Sequence, residues 1–299
     1  MESLAICKQA YQQGISFNNI ILPNNIDNPV KNLEFKSLDI NHAYLILDEI
    51  YKYYVNKQIH NYTAKDYKDI KKWINNVFTY RDGIYNPLNL KIVAPESPFE
   101  FIIDEPWAKY SYKDTTDRPI EGQLGIKGTI DLTTEISNDV FELIDWKSGA
   151  CKDWKVNKPH DYKSLSNSFQ LHLYHYSIMK MYPKLKQVVV TINYVATNEY
   201  FTFAFDRNNL DNTVDMIKSQ FLKIQKDKNP RLLNTFFCDR ICWANKQAYK
   251  PEILNPKTNI PYTICKYINN SIRNKGLDAT TMLETKSGFK LGFYQEPGV

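Results

Sequence analysis

Two acidic residues and a lysine stand on neighbouring predicted strands in the middle of the chain. Asp131 lies in one apolar run, and Asp145 and Lys147 lie in the next. Because Asp145 and Lys147 are two positions apart, their side chains share one face of a strand. Residues 137–139 read Ser-Asn-Asp and predict a turn that folds the two runs into a hairpin. That hairpin would bring two carboxylates and an ammonium group together.

This set of groups suits the hydrolysis of a phosphodiester. Close carboxylates raise each other's pKa, and a divalent cation removes that penalty. Mg²⁺ prefers one or two carboxylates together with water and phosphate oxygens, and a bound metal lowers the pKa of water. Lys147 would hold the attacking water and stabilise transition-state charge. A solvated strand face is the alternative for a D-x-K pattern, but Phe141, Leu143 and Ile144 make this run apolar.

Three motifs follow one another along the chain. They read G-T-I-D at 128–131, I-D-W-K-S-G at 144–149 and Q-L-H-L-Y at 170–174. In this order and spacing they resemble the nuclease core of the PD-(D/E)XK superfamily, in its RecB-type exonuclease branch with phage and CRISPR-associated relatives. The resemblance covers residues 124–182. It implies a restriction-endonuclease-like α/β core, with a mixed central sheet flanked by helices, and metal-dependent hydrolysis of DNA.

The resemblance also implies a metal site for Mg²⁺ or Mn²⁺. Its ligands would be Asp131, Asp145 and the carbonyl of Trp146. Glu96 joins them because residues 95–99 are similar to an E-x-P-F segment on the first core strand, although a surface position at a strand end is the alternative. His42 opens a predicted helix where RecB-type nucleases place a metal-binding His. The small residues that usually precede that His are absent here, so capping or packing is the alternative.

Further residues would support the reaction or hold the substrate. Lys147 would act on the attacking water, and Gln170 and Tyr174, four apart on one helix face, would support the site. Residues 150–166 are polar and basic and predict a loop. A solvated loop is one interpretation; contact with DNA phosphates and stacking on a base is the other. The DNA-contacting residues would be Lys152, Trp154, Lys155 and Lys158.

Composition agrees with an intracellular globular protein. The chain has 299 residues, 43% hydrophobic residues and a net charge of +5, which is compatible with a groove for a polyanion but below that of a strongly basic binder. Its 21 tyrosines have AT-rich codons, which favours a microbial or phage genome. The sequence predicts no signal peptide, membrane span or ATPase loop. We therefore expect a cytoplasmic protein or, if it is phage-encoded, one in the host cytoplasm or virion.

The five cysteines predict neither disulfides nor an iron–sulfur cluster. Some RecB-type relatives hold such a cluster with one Cys before the nuclease core and three after it. Cys7, Cys238, Cys242 and Cys265 have that distribution, but Cys265 follows Cys242 by 23 positions, whereas the relatives' three cysteines are closely spaced. Since four thiolates must meet to hold a cluster, this spacing argues against one.

Periodicity predicts one nuclease domain over 1–299, with a catalytic core at about 36–226 and an irregular, proline-containing extension at 227–299. Residues 1–35 show no regular pattern and are interrupted by Pro23 and Pro29. Helices are predicted at 40–54, 63–79, 168–182 and 209–226. Strands are predicted at 88–94, 99–103, 126–147 as a hairpin, 188–194 and 200–205, with a loop at 108–121.

The expected function is an exonuclease that acts on DNA ends or single-stranded flaps in recombination, repair or phage DNA processing. Its partners would be DNA and a helicase or recombination protein. Two alternatives stay open: a catalytically silent DNA-binding or virion module with a nuclease fold, and an iron–sulfur nuclease of the CRISPR-adaptation type. RNA also stays open as a substrate, and the sequence does not predict an oligomeric state.

Overall fold

A mixed five-stranded sheet carries the candidate site in the computed structural model, which describes residues 1–58, 62–113, 118–153 and 158–226. The described strands are β1 Ile92–Ile102, β2 Lys109–Lys113, β3 Pro119–Gln123, β4 Gly125–Ser137, β5 Val140–Lys147, β6 Lys152–Asp153, β7 Lys158–Pro159, β8 Gln187–Tyr194 and β9 Glu199–Asp206. The described α-helices are α1 Glu2–Gln12, α2 Ile40–Asn56, α3 Ala64–Thr79, α4 Tyr162–Ser166, α5 Phe169–Met181 and α6 Leu210–Lys226.

The main sheet has the strand order β1-β4-β5-β8-β9. All neighbours are antiparallel except β5 and β8, which run parallel. Parallel neighbours need a long crossover, and the segment between these two strands contains α5. The C-terminal ends of β5 and β8 therefore meet at one edge of the sheet, where Lys147 pairs with Tyr194.

Helices cover both faces of the sheet. Leu143 and Ile144 are adjacent on β5 and point to opposite faces. Leu143 belongs to a buried cluster with Leu171 of α5 and Ile217 of α6. Ile144 belongs to another cluster with Val77 of α3. This architecture confirms the predicted mixed sheet flanked by helices.

The N-terminal segment forms a helix that the sequence did not predict. In α1 the buried positions include Ser3, Ala5 and Cys7, whose small or polar side chains obscure an apolar periodicity. The helix also covers the edge strand β1. Gln9 donates to the carbonyl of Val93 at 2.7 Å, and Gln12 exchanges hydrogen bonds with the backbone of Ile92 at 3.0 and 3.1 Å. These bonds satisfy backbone groups that an edge strand would otherwise leave unpaired.

Two predicted loops are partly wrong. Strands β2 and β3 pair with each other, with Tyr110 opposite Gly122. Their side chains are exposed or half-buried, so no apolar alternation indicated them. Within 150–166, β6 and β7 pair and α4 follows, capped by reciprocal hydrogen bonds between Asp161 and Ser164. The strands predicted at 88–94 and 99–103 belong to one strand, β1, which begins only at Ile92, because Pro87–Asn89 form a 3₁₀ turn.

The other predicted helices and strands are confirmed to within two or three residues. Across the described ranges, no helix combines the length and the apolar character that a membrane span requires. Cys7 lies buried among apolar side chains, and burial raises the pKa of its thiol to about 11. Cys238, Cys242 and Cys265, like the predicted C-terminal extension, lie outside the described residues.

Candidate active site

The two predicted carboxylates lie where β4 and β5 part. The pairing of these strands ends with Leu132 opposite Ile144, so Asp131 and Asp145 are each the next residue beyond the last pair. Asp131 accepts the backbone N–H of Trp146 through Oδ2 at 2.9 Å. A side chain thus replaces a backbone acceptor at this point and fixes the carboxylate of Asp131 against β5.

Asp145 is buried within a polar network from β5 and α5. Only 3% of the residue is exposed. Its Oδ1 accepts the Tyr174 hydroxyl at 2.8 Å and the Gln170 amide at 3.1 Å. Its Oδ2 lies 2.6 Å from the Lys147 ammonium, as the two-residue spacing on β5 predicts. A buried carboxylate is costly unless it is paired and hydrogen-bonded, and the two hydrogen bonds to Oδ1 together with the ion pair at Oδ2 meet that requirement.

Helix α5 turns one face towards this network. Gln170 and Tyr174 are four positions apart, and the Gln170 amide also donates to the Tyr174 hydroxyl at 2.7 Å. The Gln170 side-chain carbonyl accepts from Lys147 at 3.4 Å. Gln170 therefore links the N-terminal turn of α5 to both Asp145 and Lys147 of β5. Burial, followed by the negative charge of Asp145, raises the pKa of Tyr174, which keeps its hydroxyl protonated as a donor.

A divalent cation fits the pair of carboxylates. Burial, and next repulsion from Asp145, raises the pKa of Asp131, so a nearby positive charge would favour its ionised form. Within the described ranges no three His, Cys, Asp or Glu side chains are grouped as a complete metal site. Asp131, Asp145 and the Trp146 carbonyl would therefore share a metal with water and phosphate oxygens, which is how Mg²⁺ binds in many enzymes.

The family of the chain follows from these residues and a wider match. A model of the PD-(D/E)XK nuclease superfamily matches residues 43–243, about two thirds of the chain. The chain belongs to this superfamily. Its members are usually nucleases and generally use divalent metal ions such as Mg²⁺, and the mixed sheet is consistent with their restriction-endonuclease-like fold. No curated protein matches the chain.

Glu96 lies beside Asp131 in this nuclease-superfamily core. On β1 it stands between Pro95, paired with Leu132, and Ser97, paired with Ile130. Its φ of 44° is in the left-handed region, which is rare for a residue other than Gly and occurs preferentially at functional sites. The residue is exposed overall and also lines a cavity. Burial there, then repulsion from Glu2 and Asp131, raises the pKa of Glu96 to about 7.

Glu2 of α1 lies at the candidate site, and no sequence motif indicated it. It lines the same cavity as Glu96 and Asp131. Burial raises its pKa, and Asp131 adds to the shift. Glu2 lies outside the residues matched by the family model and belongs to a helix without clear periodicity, so no sequence signal connected it to the sheet.

The acidic cluster of Glu2, Glu96 and Asp131 should make the stability of the metal-free protein depend on pH. Because the folded-state pKa of Glu96 lies above its ordinary value, the folded protein holds this proton more tightly than the unfolded chain. The binding of this proton therefore adds to the free energy of unfolding. The contribution is fully present below about pH 4.5 and is lost as the pH rises through about 7. Chemical denaturation between about pH 5 and 8 should therefore show a smaller loss of stability for Glu96→Gln than for wild type.

Glu100→Gln is the control for this measurement, since Glu100 is an exposed residue of the same strand. Identical pH profiles for wild type and Glu96→Gln would show that Glu96 does not carry a raised pKa. Added Mg²⁺ should reduce the wild-type loss, because a cation compensates the carboxylates as they ionise.

The structure places His42 in the capping of α2. Its Nδ1 accepts the backbone N–H of Asp39 at 3.1 Å and lies 2.9 Å from the Asp39 carboxylate. Asp39 in turn accepts from the backbone of Asn41 and His42. The hydrogen bonds of Nδ1 thus go to the helix cap, as in the capping interpretation. A role for His42 as a metal ligand stays a prediction.

The structure describes two of the four predicted DNA-contacting residues. Lys152 lies on β6 and is half-buried, and Lys158 is exposed on β7, which pairs with β6. Trp154 and Lys155 lie outside the described residues. The pair β6–β7 comes soon after β5 in the chain, so Lys158 is close in sequence to Lys147 and Gly149. DNA contact by these residues stays a prediction.

Tyr174→Phe should weaken metal binding without removing a ligand. It deletes the 2.8 Å hydrogen bond to Asp145 and leaves the ring in place. Groups that orient metal ligands typically contribute about 10- to 100-fold to affinity or activity, so we expect a loss of that size in Mn²⁺ affinity measured by calorimetry. Tyr182→Phe is the control, because Tyr182 follows the same helix and packs its ring against Phe141. Unchanged affinity in Tyr174→Phe would remove Tyr174 from the supporting role.

Proposed function

We propose that the protein hydrolyses phosphodiester bonds of DNA in a reaction that depends on a divalent metal ion. The observation that carries the proposal is the meeting of Asp131, Asp145 and Lys147 at the parting of β4 and β5. A silent module would have no need to keep a lysine 2.6 Å from a buried carboxylate whose other oxygen is held by α5. Membership of a superfamily of nucleases supports the same reaction.

The roles of the residues follow from their positions. When bound, Mg²⁺ or Mn²⁺ would polarise the phosphate and lower the pKa of water. Asp131 and Asp145 would ligate the ion, and Tyr174 and Gln170 would fix the orientation of Asp145. The Lys147 side chain is 36% exposed and therefore accessible to a substrate. It would hold the attacking water and stabilise the charge that develops on the phosphate oxygens.

The substrate that we propose is a DNA end or a single-stranded flap. The resemblance to RecB-type exonucleases supports end-directed action. The net charge of +5 agrees, because gripping a long internal duplex through its phosphates alone calls for a more basic surface. Such an enzyme would work in recombination, repair or phage DNA processing, beside a helicase or recombination protein. The Lys-rich segment around Lys158 would guide the strand.

Linear DNA should shorten progressively in the presence of Mg²⁺ or Mn²⁺ while a covalently closed circle persists. The purified full chain is incubated with end-labelled linear DNA and with closed circular DNA of the same sequence, and products are resolved over time. Lys186→Ala, which removes an exposed lysine far from the motif, controls for general loss of charge. Rapid linearisation of the circle would make the protein an endonuclease on the same catalytic core.

A further inference from the structure

A cavity of about 410 Å³ opens beside Asp131, on the face of the sheet opposite α5. Its volume is within the range of about 300–1,000 Å³ that is typical of small-molecule sites. One end is charged: it is formed by the carboxylates of Glu2, Glu96 and Asp131 and by the buried amino group of Met1, which interacts with Glu2 and Glu96. The remaining wall is apolar and consists mainly of aliphatic side chains from α2 and α3, to which Trp73 and Trp146 add two indole rings. The cavity therefore joins the proposed catalytic carboxylates to an apolar, aromatic space.

Trp146 connects the cavity to the catalytic motif. It lies between Asp145 and Lys147, so its side chain points to the other face of β5. There it packs with Val77 and Val195, which also line the cavity. Its indole Nε1 is buried and has no hydrogen-bond partner among the described residues. Buried donors are nearly always paired in native proteins, so this N–H is suited to an acceptor on a bound molecule.

The chemistry of the walls fits a nucleobase and disfavours a phosphate. Flat indole rings stack on any base, and a ring nitrogen or carbonyl oxygen of a base would accept from Trp146. The carboxylates of Glu2 and Glu96 would accept from exocyclic amines. With Asp131, these carboxylates outnumber the single Met1 ammonium and disfavour a bare phosphate, so a strand whose phosphate is held between Asp131 and Asp145 would direct its base, not its backbone, into the cavity.

We propose that the cavity binds the base of a nucleotide next to the scissile phosphate and that this base must be unpaired. The inference rests on the proposed nuclease activity and narrows its substrate class to single-stranded or frayed ends. A base in a duplex is paired and stacked, so it would have to leave its partner base before it could stack on Trp73 or Trp146 inside the cavity. Selectivity for unpaired DNA would thus come from the shape of the cavity rather than from the lysines.

Abasic substrates test this directly. A set of single-stranded oligonucleotides carries one abasic residue at successive positions from the labelled end. Base stacking is typically worth about 5- to 150-fold in binding, so kcat/KM of wild type should fall at least about fivefold when the abasic residue flanks the scissile phosphate. It should change little at distant positions. Equal cleavage of every abasic substrate would overturn the inference and leave the proposed nuclease function intact.

Ala43→Met probes the cavity from the protein side. Ala43 is buried on the cavity wall, and a longer side chain there occupies space without altering Asp131, Asp145 or Lys147. The variant should lose activity on normal DNA, and the abasic residue should then cause no further loss, because the two changes remove the same interaction. Ala64→Met, at an exposed position of α3, is the matched control. Trp73→Leu, which removes a stacking surface, gives a second variant with the same expected pattern.

A binding measurement separates this inference from failure of the proposed function. The full chain is mixed with a single strand that carries 2-aminopurine in place of the base at the sensitive position, in Ca²⁺. If the protein cleaves DNA in no metal, the sensitive position is unknown, and 2-aminopurine is then placed at each position of the strand in turn. Stacking against Trp73 or Trp146 should quench its fluorescence, and Ala43→Met should abolish the quenching while Ala64→Met retains it. No quenching at any position, or equal quenching in Ala43→Met, would overturn the inference whether or not the protein hydrolyses DNA.

Discussion

Asp145→Asn should abolish DNA cleavage, with a fall in rate of about a thousandfold or more. A neutral amide is a poor ligand for a hard cation, and the loss removes one of two carboxylates at the parting of β4 and β5. Asp131→Asn should have an effect of the same size. Its amide can keep an oxygen towards the N–H of Trp146, so the fold should survive, and thermal unfolding checks this. Cleavage is measured on end-labelled DNA in saturating Mn²⁺.

Asp139→Asn is the matched control for both variants. Asp139 lies in the turn of the same hairpin, where it pairs with Lys186 at 2.9 Å on the surface, and exposed ion pairs contribute little to stability. This variant should cleave at the wild-type rate. If Asp145→Asn or Asp131→Asn also cleaved at the wild-type rate with Mg²⁺, the assignment of the metal site would be wrong.

Lys147→Ala should lower turnover by about 100- to 1,000-fold while metal binding persists. The expected size is that of removing one group that stabilises transition-state charge. Its ammonium lies 2.6 Å from Asp145, but Tyr174 and Gln170 still hold the other oxygen of that carboxylate, so the metal ligands keep their positions. Calorimetric titration with Mn²⁺ and single-turnover cleavage of labelled DNA separate the two properties.

Lys186→Ala is the control, since it removes an exposed lysine that is likewise paired with an aspartate, Asp139. Loss of Mn²⁺ affinity in a folded Lys147→Ala protein would assign Lys147 to the assembly of the metal site rather than to the reaction. Wild-type turnover in this variant would remove Lys147 from the mechanism altogether.

The central part of the site was predictable because its signals are local. The turn at 137–139 and the alternation along β5 determine the faces of Asp145 and Lys147, and helical spacing places Gln170 and Tyr174 together. The structure joins these groups through one hydrogen-bond network around Asp145. The five-stranded sheet was predictable for the same reason, since most of its strands are apolar runs bounded by turn residues.

The parts that the sequence did not predict depend on contacts between distant segments. Glu2 reaches Glu96 and Asp131 only because α1 packs along β1, and that helix has small and polar residues on its buried face. The β2–β3 hairpin is largely exposed and lacks an apolar face. The cavity forms where α2 and α3 pack beside the site, and neither helix contains a motif that predicts a cavity.

Metal-dependent cleavage of DNA by the purified full chain tests the proposed catalytic site most directly. End-labelled single-stranded DNA is incubated with protein that has been treated with a chelator and then given Mg²⁺, Mn²⁺ or no metal, with Asp145→Asn and Asp139→Asn in parallel. We expect cleavage by wild type and Asp139→Asn only when metal is returned, and none by Asp145→Asn. Cleavage that persists without metal, or equal cleavage by Asp145→Asn, would contradict the proposed site.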